Sequence, residues 1–336
     1  MASIPAVTDS LYDYGQVLCG TCDEERRRQK SDLITEFILL GFGSFPELEN
    51  FLFLLFLMIY VVTMAGNILI IVFIVADQHL HTPMYFFLGN LSFLETCYTS
   101  TILPMLLVSL LTGDRTILVT GCIVQFYWFG FLMTTECYLL AVMSYDRYLA
   151  ICKPLHYAAL MNGRFCTQVA VGSWISSFVA STTIVCLMSQ LMFCGPKEIN
   201  HFFCDLSPVI KRSCEDTNLI MLLSFILTCI EALSAFLLTV TSYVCIINTI
   251  LRIPSTAGRQ KAFSTCSSHL IVVTIFYGTI IIIYMLPDTD TLRDLNKVFS
   301  VFYTILTPLA NPLIYSLRNR EVKEALRKVC SRYHMF

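Results

Sequence analysis

Charge is what this chain has least of. Asp, Glu, Lys and Arg make up only 14% of its 336 residues, against roughly a quarter in soluble domains. The 22 basic and 24 acidic residues leave a formal net charge of -2, which gives no bulk attraction for nucleic acid. Enzyme signatures are missing too: there is no glycine-rich phosphate loop, no His-Glu-x-x-His pair and no Gly-x-Ser-x-Gly elbow. An intramembrane enzyme would need a nucleophile paired with a base, and none is spelled out. A transporter would show matched halves broken by glycine or proline, and no such internal symmetry is present. No asparagine precedes Asn50, so the N-terminal tail carries no glycosylation sequon. The one Asn-x-Ser match, Asn90-Leu91-Ser92, falls inside an apolar run. Arg26-Arg27-Arg28-Gln29-Lys30 is followed by no short apolar core before Phe51. We therefore expect no cleaved leader and read the first long apolar run as the insertion signal.

What is present is apolar: 56% of the residues are hydrophobic and 13% aromatic. Four stretches, 51–76, 165–196, 262–287 and 298–317, contain no charge at all. Three more hold a single acid each: 84–111 with Glu95, 121–143 with Glu136 and 219–251 with Glu231. Each reaches the ~18 to 20 residues that cross a bilayer as a helix, and unpaired backbone groups in lipid leave no alternative to helix. A water-soluble fold is excluded. The expected fold is an all-α membrane protein, a seven-transmembrane-helix bundle. Its spans fall at about 51–76, 84–111, 121–150, 165–193, 219–251, 262–286 and 296–317. They lie between a tail of little fixed structure (1–50) and a short amphipathic helix and tail (318–336).

Seven spans put the termini on opposite sides, and the basic residues choose which. With the N-terminus outside, the inner segments hold Arg147, Lys153, Arg164, Arg252, Arg259, Lys261 and six residues from Arg318 to Arg332, twelve of the 22. Four of the remaining ten sit in the distant cluster ending at Lys30. We therefore expect a multi-pass plasma-membrane protein with an extracellular N-terminus. Of the 15 cysteines, most lie within spans as small apolar side chains. Cys122, Cys194, Cys204 and Cys214 fall on the outer side, where they can pair in any of three ways. Cys19 and Cys22 have no second pair or histidine nearby to make a zinc site. At the C-terminus, Val322, Ala325, Leu326 and Val329 share one helical face and Arg320, Lys323, Arg327 and Lys328 the other. That pattern lies on the lipid of the inner leaflet, beside a Cys330 that is either palmitoylated or free.

An ionisable group inside a membrane is a functional candidate because an unpaired charge there costs at least ~2.5 to 3.5 kcal/mol. Glu95 and Glu136, with Asn67 and Asn311, would make an all-oxygen site suited to a hard cation; sodium is the plausible occupant, and the competing reading is a pair of protonated, hydrogen-bonded carboxyls. Beyond that ion no cofactor is required. Stripes recur at helical spacing: Phe129, Met133 and Glu136; Leu227 and Glu231; Tyr277, Ile281 and Tyr284. Taken alone, such stripes are ordinary helix packing.

The inner end of the third span reads Met143-Ser144-Tyr145-Asp146-Arg147-Tyr148-Leu149-Ala150-Ile151-Cys152-Lys153-Pro154-Leu155-His156-Tyr157. This run resembles the signature of odorant receptors, a branch of the rhodopsin-like G-protein-coupled receptors, with Ser144 where that family usually has alanine. Further blocks follow in order: Gly66-Asn67, Leu80-His81-Thr82-Pro83-Met84-Tyr85, Ser242-Tyr243, Lys261-Ala262-Phe263-Ser264-Thr265-Cys266-Ser267-Ser268-His269-Leu270, and Pro308-Leu309-Ala310-Asn311-Pro312-Leu313-Ile314-Tyr315. The resemblance covers roughly residues 33 to 329.

The resemblance implies a non-enzymatic receptor that binds small volatile molecules and activates a stimulatory, olfactory-type G protein, raising cyclic AMP. The competing use of the same scaffold is reception of a non-odorant metabolite outside the nose. The resemblance further implies that Cys122 pairs with Cys204 and Cys194 with Cys214. It places a ligand pocket at Phe129, Gly130, Met133, Thr134, Leu227, Thr228, Glu231, Tyr277, Ile280, Ile281, Tyr284 and Thr304. It assigns the G-protein switch to Asp146, Arg147, Tyr148, Tyr243 and Tyr315, with Arg147 as the central contact. Glu231 would then accept a hydrogen bond from an alcohol or amine ligand, or stay neutral.

Overall fold

The computed structural model describes residues 34–42, 46–285 and 297–318. Cys19, Cys22 and the expected amphipathic segment 319–336 lie outside the described residues. Six helices are long and apolar enough to cross a membrane, and a seventh passes the same test as a bent pair. They are α1 (Pro46–Ala76), α2 (Pro83–Thr112), α3 (Val119–Cys152), α4 (Gly163–Met188), α5 (Asn218–Leu251), α6 (Thr256–Met285) and α7 (Thr307–Arg318). The span ending in α7 begins at Lys297. Two segments of α6, Thr256–Ser264 and Cys266–Ile282, meet at 47°.

Local chemistry sets the helix ends. Pro83 occupies the first turn of α2, where its missing N–H is no loss, and Gly113 closes that helix at φ +72°. The Asn162 side chain caps α4, accepting from the Phe165 N–H at 2.9 Å. Within the spans, hydroxyls satisfy themselves on the preceding turn: Thr135 donates to the Phe131 carbonyl, Ser144 to Leu140 and Ser177 to Ser173, at 2.8–2.9 Å. Such back-bonding makes a serine or threonine cheap in hydrocarbon. Large apolar side chains such as Phe51, Leu54, Leu219, Phe225 and Ile230 remain more than 60% exposed, which is the surface a lipid environment covers.

α3 is the axis of the bundle. It packs against α2, α4 and α5, and its face from Leu139 to Met143 is almost wholly buried. α1 packs on α2 and α7. A Cβ at Gly66 would stand 2.9 Å from the Pro312 ring, so only glycine permits this approach of α1 to α7.

The end of the bundle that carries Cys204 differs from expectation. Part of the tail read as having little fixed structure forms β1 (Glu36–Leu39), the central strand of a three-stranded sheet ordered β2-β1-β3. It pairs antiparallel with β2 (Thr116–Leu118), Phe37 opposite Ile117, and parallel with β3 (Glu198–Ile199), Leu39 opposite Ile199. Phe37 and Leu39 point to the buried side, and Phe37 meets Phe193 edge to face at 5.4 Å. Cations tie the strand down: Arg115 donates to the Leu40 carbonyl at 2.8 Å and reaches Glu49 at 2.5 Å, and Lys297 donates to the Gly41 carbonyl at 2.8 Å.

Candidate ligand cavity and switch residues

A cavity of about 130 Å³ opens between α3, α4, α5 and the loop that follows Cys204. From α3 it takes Phe126, Phe129, Gly130, Met133, Thr134 and Cys137, positions that share one helical face at steps of three and four. α5 adds Ser224, Leu227, Thr228, Glu231 and Ala232, α4 adds Ala180, Ser181 and Ile184, and α6 adds Ile280. The loop contributes Asp205 and Leu206. Two ties bring that loop in: Cys204 is bonded to Cys122 with Cα atoms 5.4 Å apart, and the Cys204 N–H donates to the Gln125 side-chain carbonyl at 2.9 Å. Asp205 is the next residue, so it has little choice of position. The Leu206 N–H donates to its carboxyl at 2.8 Å, and burial pushes that carboxyl above its ordinary range. Cys194 is bonded to Cys214, Cα atoms 5.6 Å apart.

Eight of the twelve pocket positions inferred from the sequence line this cavity: Phe129, Gly130, Met133, Thr134, Leu227, Thr228, Glu231 and Ile280. Three others lie elsewhere. Ile281 is one residue, and so about 100° of helical rotation, past Ile280, and is 40% exposed on the outside of α6. Tyr277 is buried and donates to the Cys137 carbonyl at 3.2 Å, which makes it a strut between α6 and α3 beneath the cavity. Thr304 turns into its own helix, donating to the Ser300 carbonyl at 2.6 Å. The side chain of Tyr284 lies outside the described residues. Nine lining residues stand outside the inferred set: Phe126, Cys137, Ala180, Ser181, Ile184, Asp205, Leu206, Ser224 and Ala232. Phe126 and Cys137 had a readable signal in the α3 period and Asp205 in its place beside a paired loop cysteine; the α4 residues depend on how that helix is rotated.

Deeper in the bundle, Glu95, Glu136, Asn67 and Asn311 are all buried. The Asn311 amide donates to Glu95 Oε1, Asn67 faces the same carboxyl without reaching hydrogen-bond geometry, and Glu136 lies within electrostatic reach. Glu95 Oε2, both Glu136 oxygens and the side-chain oxygens of Asn67 and Asn311 have no hydrogen-bond partner among the described residues. Three of these five oxygens belong to two carboxyls and two to amides, an all-oxygen set of the kind a hard cation takes. No group of three His, Cys, Asp or Glu placed to hold a metal ion occurs among the described residues.

At the opposite end Asp146, fully buried, is held from two sides. Arg147 donates to its Oδ2 through Nε at 3.0 Å and through Nη2, and the Tyr157 hydroxyl donates to Oδ1 at 2.8 Å. Tyr157 rides on a short helix, Pro154–Leu160, that the sequence reading did not separate from the loop. Tyr243 of α5 bonds His269 Nδ1 of α6 at 2.7 Å, and Tyr148 packs beside Tyr243 and Cys266. Arg147 lies within electrostatic reach of His269, Tyr243 and Cys266. The side chain of Tyr315 lies outside the described residues.

One loop residue carries a pH signature. His201 is 7% exposed, stacked on Phe202 at 4.9 Å and edge-on to Phe203 at 4.5 Å. Burial, reinforced by the Lys297 charge, pushes its imidazole down to about 3 from 6.5. Below pH 6.5 the unfolded chain therefore takes up a proton that the folded chain refuses. Stability is full above that pH and declines as pH falls toward 3, by about 2 kcal/mol at pH 5. Asp205, raised rather than lowered, works in the opposite sense. Thermal unfolding in detergent at pH 7 and pH 5 should show a drop that His201→Phe abolishes; an identical drop in that variant would remove His201 as its source.

A multi-pass helical bundle with a mostly apolar cavity toward one end and a buried acid–arginine pair at the other is the architecture of a G-protein-coupled receptor. The olfactory receptor family's sequence model matches residues 56–332. Olfactory receptor 6B1 of Homo sapiens is 50% identical over 296 residues, covering 88% of this chain and 94% of that protein. Olfactory receptor 11L1 of Homo sapiens is 49% identical over 304 residues, 90% and 94% of the two chains, and olfactory receptor 5AP2 of Mus musculus is 46% identical over 300 residues, 89% and 95%. The chain belongs to the olfactory receptor family, whose members are receptors and not enzymes.

Proposed function

We propose that this odorant receptor holds a small volatile molecule in the cavity between α3, α4 and α5 and passes the event to a stimulatory, olfactory-type G protein, raising cyclic AMP. The observation that carries the reading is the continuity of α3. One helix presents Phe129, Met133 and Thr134 to the cavity, receives the Tyr277 strut at Cys137 and carries the Asp146–Arg147 pair near its other end. A ligand shifts such an equilibrium only by as much as it prefers the active arrangement. Contact with Cys137 or Ile280 gives it a hold on α6, whose movement would free Arg147 for the G protein. Tyr148, Tyr243 and Tyr315 complete that switch.

The receptor acts in the plasma membrane, with the N-terminus and the Cys204 loop outside. Expression with a trafficking aid, a surface label and a cyclic AMP readout against chemically diverse volatiles tests the reading. Receptor present at the surface yet silent to the whole panel would defeat it. A sodium ion held by Glu95, Glu136, Asn67 and Asn311 would favour the resting arrangement. Replacing sodium by choline in the medium is expected to shift ligand potency in the parent but not in Glu136→Gln; an equal shift in both would remove the ion from the account.

A further inference from the structure

The ionisable lining of the cavity is of one sign. Glu231 enters from α5 and Asp205 from the loop after Cys204, and among the described residues no Lys, Arg or His lines the wall to neutralise either. The two stand at different depths. Lining positions on α3 run from Phe126 to Cys137, about 16 Å at 1.5 Å per residue. Asp205, next to the disulfide at the start of α3, sits at the mouth; Glu231 faces the Thr134 hydroxyl nearer the floor. Of the other polar groups, the Ser224 hydroxyl is committed to the Met221 carbonyl at 3.0 Å. An ionised carboxylate only accepts hydrogen bonds. The wall therefore offers two carboxyls as acceptors, with the Thr134, Thr228 and Ser181 hydroxyls able to donate or accept, and among the described residues it lacks the cation that a carboxylate ligand would need.

We infer that the ligand class of this cavity is a small alkylamine, bound as its ammonium ion against Glu231 with its chain along Phe126, Phe129, Met133 and Leu227, and that carboxylic acids are rejected. This rests on the proposed ligand-binding role of the same cavity. Size follows from volume: about 130 Å³ is close to the ~150 Å³ engineered cavity that admits benzene, so the ligand has roughly six to eight non-hydrogen atoms. An ammonium ion offers three donors and the opposite charge to the carboxyl it meets. A carboxylate of the same length sets acceptor against acceptor in a desolvated site, a mismatch that specificity exploits. Asp205 at the mouth adds attraction for the approaching cation.

Four six-carbon probes test the inference in cells carrying surface-labelled receptor, with untransfected cells as control: hexylamine, hexan-1-ol, hexanal and hexanoic acid. Hexylamine is expected to act at a concentration at least tenfold below hexan-1-ol, and hexanoic acid to be silent. Glu231→Gln should raise the hexylamine concentration needed by at least tenfold while moving hexan-1-ol less than threefold. Asp205→Asn, which keeps the hydrogen bond from Leu206, should shift hexylamine by a smaller factor and carries the comparison if Glu231→Gln fails to reach the surface. Thermal unfolding of purified receptor gives the same ranking without a G protein: hexylamine raises the transition saturably and hexanoic acid does not. Hexanoic acid equal to hexylamine, or a Glu231→Gln shift equal for amine and alcohol, overturns the inference while leaving the receptor reading intact. Hexylamine that stabilises purified receptor but never raises cyclic AMP overturns the coupling and supports the ligand class.

Discussion

Arg147→Ala, brought to the cell surface, is expected to give no cyclic AMP response to any volatile that activates the parent receptor. Arg147 is the cation beside a fully buried carboxylate, and it lies near the Tyr243–His269 contact between α5 and α6. A movement of α6 that opens this end would expose its guanidinium, a planar fork of donors matched to the carbonyls of an incoming helix terminus. Among the described residues truncation leaves Asp146 the Tyr157 hydroxyl as its side-chain partner, and removing one partner of a buried pair costs about 3 to 5 kcal/mol. Stability and signalling must therefore be separated. Arg147→Lys keeps the charge but loses the fork, so it should reach the surface and signal at least tenfold less. Ligand-induced stabilisation of purified Arg147→Ala should persist. Normal cyclic AMP from surface-resident Arg147→Ala would break the assignment.

Cys204→Ser is expected to lower surface receptor at 37 °C by at least tenfold, more than Cys194→Ser does. The Cys122–Cys204 bond spans 82 residues and the Cys194–Cys214 bond spans 20. The chain-entropy relation then gives about 4.5 kcal/mol for the first and about 3 for the second, against a typical total stability of about 5 to 15 kcal/mol. The longer bond also holds the Cys204 N–H on Gln125 and, through it, Asp205 and Leu206 on the cavity. Molecules of Cys204→Ser recovered at reduced temperature should thus have lost ligand response in addition to abundance. Surface labelling and dose–response curves on the three receptors check both parts; equal abundance of parent and Cys204→Ser would contradict the argument.

Part of the cavity was legible from local period: Phe129 and Met133 on α3, and Leu227 and Glu231 on α5, recur at helical spacing and do meet across one cavity, whereas Glu136 of the same α3 stripe does not line it. Gly130, Thr134, Thr228 and Ile280 came from the family resemblance alone. Ile281 was not separable from Ile280, because one residue of rotation decides between cavity and lipid and nothing local sets the absolute rotation of α6. Thr304 follows the same logic. It lies within a π turn, Phe302–Leu306, after which the Thr307 hydroxyl reaches back five residues to the Phe302 carbonyl. Pro308 has no N–H to offer residue 304, and the resulting register shift cannot be anticipated from an α-helical wheel. β1 escaped notice because four residues, only two of them buried, carry little signal until β2 and β3 arrive from distant parts of the chain.

By itself the sequence determined that the chain crosses a membrane as a bundle of helices, and which faces of α3 and α5 are eligible to meet. Both follow from short-range physics: the cost of unpaired backbone in lipid, and the 3.6-residue period. Only the tertiary structure decided that Asp205 reaches the cavity mouth, that Tyr277 braces the cavity from beneath, and that Asn311 rather than Asn67 makes the hydrogen bond to Glu95. Those outcomes depend on helix rotation and on where a cross-linked loop can reach, quantities that long-range contacts set and that no window along the chain contains.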